Sequence, residues 1–362
     1  MRTTLIDGFS QKDMQAIVNK MTLNDFYYPS LFPLKFNPTL TWQALQADTG
    51  IPVAADVVAY NSASPKKTRD IVTKLQGDIP KIEISREKLE SDLNKYNQLL
   101  HYANTAEGAR AIVEWVYEDI DFCWKGVNAR LEWLALQAIS LGKISLSKTN
   151  NAGIVTENVV DFLVPTANKS GVAVTWTEGH SATGVPVTNI KAIVKAAKAA
   201  GYPVRYMLMD QDTFDVMCLQ DSFIKFCATW VVKATSLQQS PTLAEANAAL
   251  AASGLPTIKI MDSYVSIELE DGSRTTVNPF TTGVVTFVPD LAVGNTYYST
   301  LADEMVQGSA AIKAKRGPVL LKKYSEENPV KEITIGMANA FPVWASSQHS
   351  YLMYTLDTSW SL

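Results

Sequence analysis

Three histidines and three cysteines are the residues from which a metal centre or a nucleophile would be built, and their spacing supports neither. His101, His180 and His349 fall in three separate regions, so no two imidazoles have the short spacing of a zinc site. Cys123, Cys218 and Cys227 are an odd, widely spaced set in apolar helical contexts, which reads as reduced core thiols. No phosphate-binding loop of the Gly-x-x-x-x-Gly-Lys type occurs, no Gly-x-Gly-x-x-Gly follows a strand, and there is no Gly-x-Ser-x-Gly nucleophile elbow. One carboxylate cluster exists, Glu114, Glu118, Asp119 and Asp121. Paired carboxylates can do acid–base work, but along a helix such a set reads first as a solvated face or the acidic side of an interface. Lys66 and Lys67 form the basic counterpart, in a polar turn. No catalytic, cofactor-binding or metal-binding residue is assigned, and no cofactor is expected.

The acidic cluster belongs to a stretch, Asn104 to Gly142, that reads as one amphipathic helix. Ile112, Val113, Val116, Ile120, Cys123, Val127, Leu131, Leu134 and Ala138 recur in steps of three and four, with Glu114, Glu118, Asp119, Asp121, Lys125 and Arg130 between them. Asn104 and Glu107 fit a capping box, and Gly142-Lys143 fits a helix stop. Such a helix would run about 50 Å, far beyond the usual 11–12 residues. A beam of that length suits a shell, a fibre or a bundle; a buried bundle helix is the plainer reading.

Around it the chain divides by composition. Residues 1–50 carry an amphipathic segment (Met14, Ile17, Val18, Met21) and then Tyr27-Tyr28-Pro29-Ser30-Leu31-Phe32-Pro33, with Trp42 nearby. This aromatic and proline-rich path lies either over its own core or on a neighbouring subunit. Residues 51–84 read as ribbons: Val53–Tyr60, then a strand pair at Ile71–Leu75 and Ile82–Ile84 broken by Gly77-Asp78-Ile79-Pro80. A lone two-stranded ribbon is marginal in water, so these need a partner surface. From Ser85 a helix is expected with Leu89, Leu93, Tyr96 and Leu100 on one face. Residues 180–305 read as an α/β unit, including a helix capped by Asp212. A long hairpin follows, with arms Ala310–Leu321 and Ile333–Trp344 and its turn at Ser325–Pro329, and Tyr351–Leu356 is a last strand.

With 362 residues, of which 47% are hydrophobic, the chain can bury a large core. It has no run of 18 apolar residues and no apolar core near its N-terminus, so neither a membrane span nor export is expected. Its net charge of −4 argues against a protein that grips nucleic acid, though not against one that encloses it.

The ordered motifs resemble those of the major capsid (head) proteins of tailed bacteriophages, lambda type. In sequence they are Leu31-Phe32-Pro33 with Trp42; Ile51-Pro52-Val53-Ala54-Ala55 leading to Ser64-Pro65-Lys66; Ile79-Pro80-Lys81-Ile82; Arg130 to Ala138 closing with Leu141-Gly142-Lys143-Ile144-Ser145-Leu146; Gly254-Leu255-Pro256-Thr257-Ile258; Phe287-Val288-Pro289; and Phe341-Pro342-Val343. The resemblance implies an α+β, Hong Kong 97-like capsid fold. Its parts would be an N-terminal arm (1–50), an extended loop (51–84), a peripheral domain (85–179) with spine helix 104–142, an axial domain (180–307), a peripheral-domain hairpin (308–346) and a C-terminal axial strand (347–362). It also implies a non-enzymatic role: self-assembly as pentamers and hexamers into an icosahedral head around double-stranded DNA, in the virion, after assembly in the host cytoplasm. Implied partners are the chain itself, a portal protein, a decoration protein, and a scaffolding protein that is separate, because Leu31-Phe32-Pro33 comes too early for a scaffolding extension. Phe32, Trp42, Lys66, Lys67, Glu114, Glu118, Asp121 and Asn328 are the expected intersubunit contacts. Lysine–asparagine cross-linking has no matching motif around Lys66, Lys67, Lys74 or Asn328. Two rivals stand beside this reading: an encapsulin-type nanocompartment shell, and an unrelated α/β enzyme with its site in residues 180–305.

Overall fold

The computed structural model describes residues 4, 9–47, 72–101, 106–153, 158–176, 183–229, 240–269, 271–306 and 311–362. The N-terminal part holds α1 (Gln11–Lys20), α2 (Tyr28–Leu31), β1 (Leu34–Phe36), β2 (Thr41–Ala47), β3 (Val72–Asp78), β4 (Lys81–Leu89), α3 (Glu90–His101) and α4 (Ala106–Leu141). Next come β5 (Lys143–Leu146), β6 (Asn158–Asp161), β7 (Lys169–Ser170), α5 (Pro186–Ala199), β8 (Tyr206–Met209), α6 (Gln211–Cys218), α7 (Asp221–Cys227) and α8 (Leu243–Ala252). The rest is β9 (Thr257–Ile260), β10 (Val265–Glu268), β11 (Arg274–Val277), β12 (Val284–Val288), β13 (Asn295–Ser299), α9 (Ala302–Met305), β14 (Ile312–Arg316), β15 (Val319–Glu327), β16 (Val330–Val343) and β17 (Tyr351–Tyr354).

Two sheets organise these elements. A six-stranded sheet has the order β1-β13-β16-β15-β14, with β4 also paired to β16, and α4 packs against it. A five-stranded sheet, β7-β17-β12-β8-β9, shares an apolar core with α5, α6, α7 and α8. Three two-stranded ribbons, β2-β3, β5-β6 and β10-β11, complete the described residues.

The long helix forms where its period says it should. Val116, Ile120, Cys123, Val127, Leu131, Leu134 and Ala138 are all buried, and the helix ends at Gly142, whose φ of +74° is the left-handed stop that glycine adopts without strain. At 36 residues it is about 54 Å long. Each fully buried aliphatic side chain is worth about 1.5–3 kcal/mol. An exposed i,i+4 pair such as Lys125–Asp121 is worth a few tenths. The apolar stripe, not the surface charge, therefore holds the helix. The amphipathic expectation fails past Leu131, where Glu132, Trp133, Leu136, Ile139 and Ser140 are buried too, because both sheets close over this end.

Two glycines let α4 touch the sheet directly. A Cβ on Gly336 of β16 would stand 2.6 Å from the Cys123 carbonyl oxygen, and one on Gly126 would stand 2.6 Å from Ile84 Cδ1 of β4. Beside this contact lies a row of buried charge. Lys88 of β4 reaches Asp119 Oδ2 at 3.0 Å, and Lys323 of β15 reaches Glu332 Oε1 of β16 at 3.4 Å. All four residues are 5% exposed or less. The Lys88 ammonium also sits 3.7 Å from the Trp115 ring centre and donates to the Trp115 carbonyl. Burial pushes its pKa down and the charge of Asp119 pulls it back up. Glu332 accepts from the Thr4 hydroxyl through Oε1, while its Oε2 has no hydrogen-bond partner among the described residues. Asp119 thus departs from the solvated face expected of it: a helix period shows which face a residue is on, not that a strand lysine will meet it there.

Other expectations change as well. β3 pairs with β2, and β4 pairs with β16, so Ile71–Leu75 and Ile82–Ile84 are not partners. Ser85–Leu89 continues β4 and the helix starts at Glu90; Leu93 and Tyr96 are buried, while Leu89 and Leu100 are exposed. The expected Ala310–Leu321 arm folds at Gly317 (φ +57°) into β14 and β15. β13 lies within the stretch read as a separate α/β unit but pairs with β16 in the six-stranded sheet, whereas β17 joins the five-stranded sheet. Asp210, not Asp212, caps α6, accepting from the Thr213 amide at 3.2 Å. The Val53–Tyr60 ribbon, Lys66, Lys67 and the Asn104 cap lie outside the described residues.

Two stability predictions follow from the helix seat. Gly336→Ala should destabilise the chain by about 1–3 kcal/mol, because the added methyl meets backbone that cannot swing away. Gly153→Ala, where a Cβ meets nothing within 4 Å, should stay within about 0.5 kcal/mol in the same urea titration. Equal midpoints for the two would refute the close seat. Lys88→Ala or Asp119→Ala alone should cost about 3–5 kcal/mol by stranding a buried charge, whereas Lys88→Met combined with Asp119→Leu should cost far less than either. Additive losses in that cycle would show the two residues are not coupled.

Candidate assembly surfaces

Contacts between subunits are made at surfaces, so each expected contact residue matters by what it leaves exposed. Phe32 has none of its surface exposed. Its carbonyl accepts from the Thr296 hydroxyl at 3.0 Å, and its ring fills the space beside Gly294. Trp42 is 2% exposed, stacked on Phe341 at 6.3 Å and lying over Gly77. Both side chains are spent on the chain's own core and offer no surface to a neighbour. The N-terminal segment is a strap rather than a free arm from α1 to β1. Glu132 of α4 accepts the Tyr27 and Tyr28 amides at 3.0 and 2.8 Å, and the Tyr28 hydroxyl donates to Asn128 at 2.7 Å. Burial raises the pKa of Glu132, with those two amides acting against the rise.

The expected acidic contacts divide. Glu118 pairs with Arg86 at 2.9 Å and Asp121 with Lys125 at 2.8 Å, so both are matched within the chain. Glu114 is exposed on α4. Asn328 is exposed too, in the two-residue link between β15 and β16 that replaces the longer turn expected at Ser325–Pro329; Ser325 itself is buried within β15. Cys123, Cys218 and Cys227 are free and buried, and burial pushes each thiol up to about 12, which leaves them unreactive. No group of three or more His, Cys, Asp or Glu able to hold a metal occurs among the described residues. No helix among them is long and apolar enough to cross a membrane.

Sequence reasoning missed a concave feature beside α4. A groove of about 940 Å³ runs between α4, β4 and the β10-β11 ribbon. Ile82, Ile84, Phe122, Ala129 and Leu146 give it an apolar lining. Its rim carries Arg86–Glu118, Lys125–Asp121 and Arg274–Glu268, each pair already closed. Among the described residues β4 is hydrogen-bonded only to β16, so its other edge is unpaired along this groove. An apolar lining beside closed ion pairs suits an extended segment of polypeptide. Glu132 was missed as well, although a single carboxylate inside Leu131-Glu132-Trp133-Leu134 is a visible signal of a buried polar anchor.

The comparisons agree with this surface-built character. Residues 11–349 match the family model described as phage major capsid protein E. No match was found among curated proteins. The fold is similar to that of an Escherichia coli CFT073 prophage protein described as its capsid protein, with a TM-score of 0.57 and 13% identity over 96% of this chain and 99% of that one. It is also similar to a phage-related protein of Bordetella bronchiseptica RB50 (TM-score 0.51, 10% identity, 94% and 95% covered). A chain of the cyanophage A-1(L) capsid asymmetric unit is similar to the same degree (TM-score 0.51, 10% identity, 94% and 96% covered). Neither the nanocompartment nor the enzyme reading is favoured by these matches. The chain belongs to the phage major capsid protein E family: it has the α+β, Hong Kong 97-type fold and is a structural protein of the tailed-phage virion, not an enzyme.

Proposed function

We propose that copies of this chain form pentamers and hexamers that close an icosahedral head around double-stranded DNA, with each copy bound along the groove of the next. The groove is the observation that carries this reading: six residues of β4, Lys81 to Arg86, along an edge with no strand partner among the described residues, an apolar lining, and three ion pairs on the rim closed within the chain. The loop that the capsid resemblance implies, whose residues between Ala47 and Val72 lie outside the described ones, is the part of a neighbour that would lie there, through main-chain hydrogen bonds and apolar contact. Residues 183–293 with β17 would be the axial part, turned toward the capsomer centre; α4 and the six-stranded sheet would be the peripheral part, with Asn328 at its tip. Glu114 and Asn328 remain as exposed contact residues, and Lys66 and Lys67 as basic partners on the loop. A scaffolding protein would set the size of the shell, and a portal protein would occupy one vertex. A decoration protein would bind the outer surface.

Negative-stain electron microscopy of the purified chain, alone and co-expressed with its scaffolding protein, tests this directly. Shells, tubes or capsomer rings are expected. Uniform particles of one to four subunits under both conditions would overturn it.

A further inference from the structure

We propose that the exposed face of α5 is a phosphate-facing surface that meets the backbone of the nucleic acid inside the shell. This rests on the reading that the shell encloses DNA. The helix carries Lys191, Lys195 and Lys198 and no Asp or Glu across its 14 residues. Its buried face is Ile190, Ile193, Val194 and Ala197; its exposed face from residue 191 onward is only Lys191, Ala192, Lys195, Ala196, Lys198 and Ala199. The spacing i, i+4, i+7 puts the three ammonium groups on one stripe about 10 Å long. The alanines between them are too short to screen it.

Two physical points give this stripe a partner. Like charges at i,i+4 repel and weaken a helix, whereas an acid and a base at that spacing pair, as Lys125 and Asp121 do on α4. On α5 no compensating acid is present, and none of the three lysines forms an ion pair among the described residues, although the chain as a whole carries −4. The uncompensated stripe is favourable beside a polyanion. About 10 Å of duplex axis presents about three phosphates on one strand, a match in both number and length. Flat alanine between the lysines lets a broad backbone approach, where a longer side chain would hold it off.

The test is equilibrium binding of a fluorescent 30-base-pair duplex to the purified full-length chain between about 50 and 200 mM salt, compared with the variant Lys191→Gln, Lys195→Gln, Lys198→Gln. Three phosphate contacts correspond to a slope of about −2.7 in log K against log salt, so wild-type affinity should fall about 40-fold more than that of the variant over this range. The triple Arg variant should keep the wild-type slope. Equal affinity and slope for wild type and the Gln variant would overturn the proposal, as would no duplex binding by wild type. Tighter, lysine-dependent binding of poly-glutamate than of duplex would also overturn it, in favour of an acidic protein partner. Shells formed by the Gln variant under the electron microscope separate the outcomes: shells without lysine-dependent DNA contact remove this inference alone, while no shells from wild type removes the assembly reading beneath it.

Discussion

Backbone contact between α4 and the six-stranded sheet is the constraint from which the other placements follow. Gly336 and Gly126 remove the side chains that would otherwise separate helix and sheet. Once seated, the helix orders what touches it. Glu132 and Asn128 hold the strap at Tyr27 and Tyr28. Gly142 turns the chain into β5. The five-stranded sheet is tied to the same helix end by the Thr286 hydroxyl of β12 donating to the Ile139 carbonyl at 2.9 Å, and the link that leads into β12 by the Gln137 amide donating to the Pro279 carbonyl at 2.7 Å. Both sheets therefore take their position from one rod.

The buried charges beside that seat have a cost and a use. Desolvating Lys88, Asp119, Lys323 and Glu332 costs several kcal/mol each, and their mutual attraction returns this only in one geometry. A mixed apolar layer would let the helix slide by a residue at little cost; a row of matched ions would not. Lys88–Asp119 ties β4 to α4, and Lys323–Glu332 ties β15 to β16. On the outer rim the logic is reversed. Arg86–Glu118 and Lys125–Asp121 are partly exposed pairs of small individual worth, and their effect is to close those four charges within the chain.

Much of this was legible in the sequence and some of it could not be. The α4 period, its Gly142 stop and the order of the capsid motifs all depend on local pattern or on the order of pieces along the chain, which a sequence displays. Pairing partners do not. The pattern of Ile82 and Ile84 marks a strand but does not say whether β3 or β16 lies beside it, and the structure has β16. Ser85–Leu89 resembled the start of a helix because five residues cannot separate a period of two from one of 3.6. Phe32 and Trp42 were read as open to a neighbour because burial within a chain and burial between chains leave the same apolar signature. Gly317-Pro318 was a visible turn signal inside the expected arm, and it is where the arm folds. The acidic cluster on α4 contained one buried member, Asp119, and nothing in the helix alone distinguishes it from Glu118.

A cryo-electron microscopy map of the assembled shell at side-chain resolution tests the central claim most directly, that the helix and its sheet form one body within a single chain and that the groove beside them is the seat of the neighbour. The account predicts α4 unbroken from Ala106 to Leu141 on β4 and β16 of its own chain, Lys88 against Asp119, and density from the adjacent copy along the open edge of β4. Strands supplied to α4 by a different copy, or an empty groove throughout a closed shell, would contradict it.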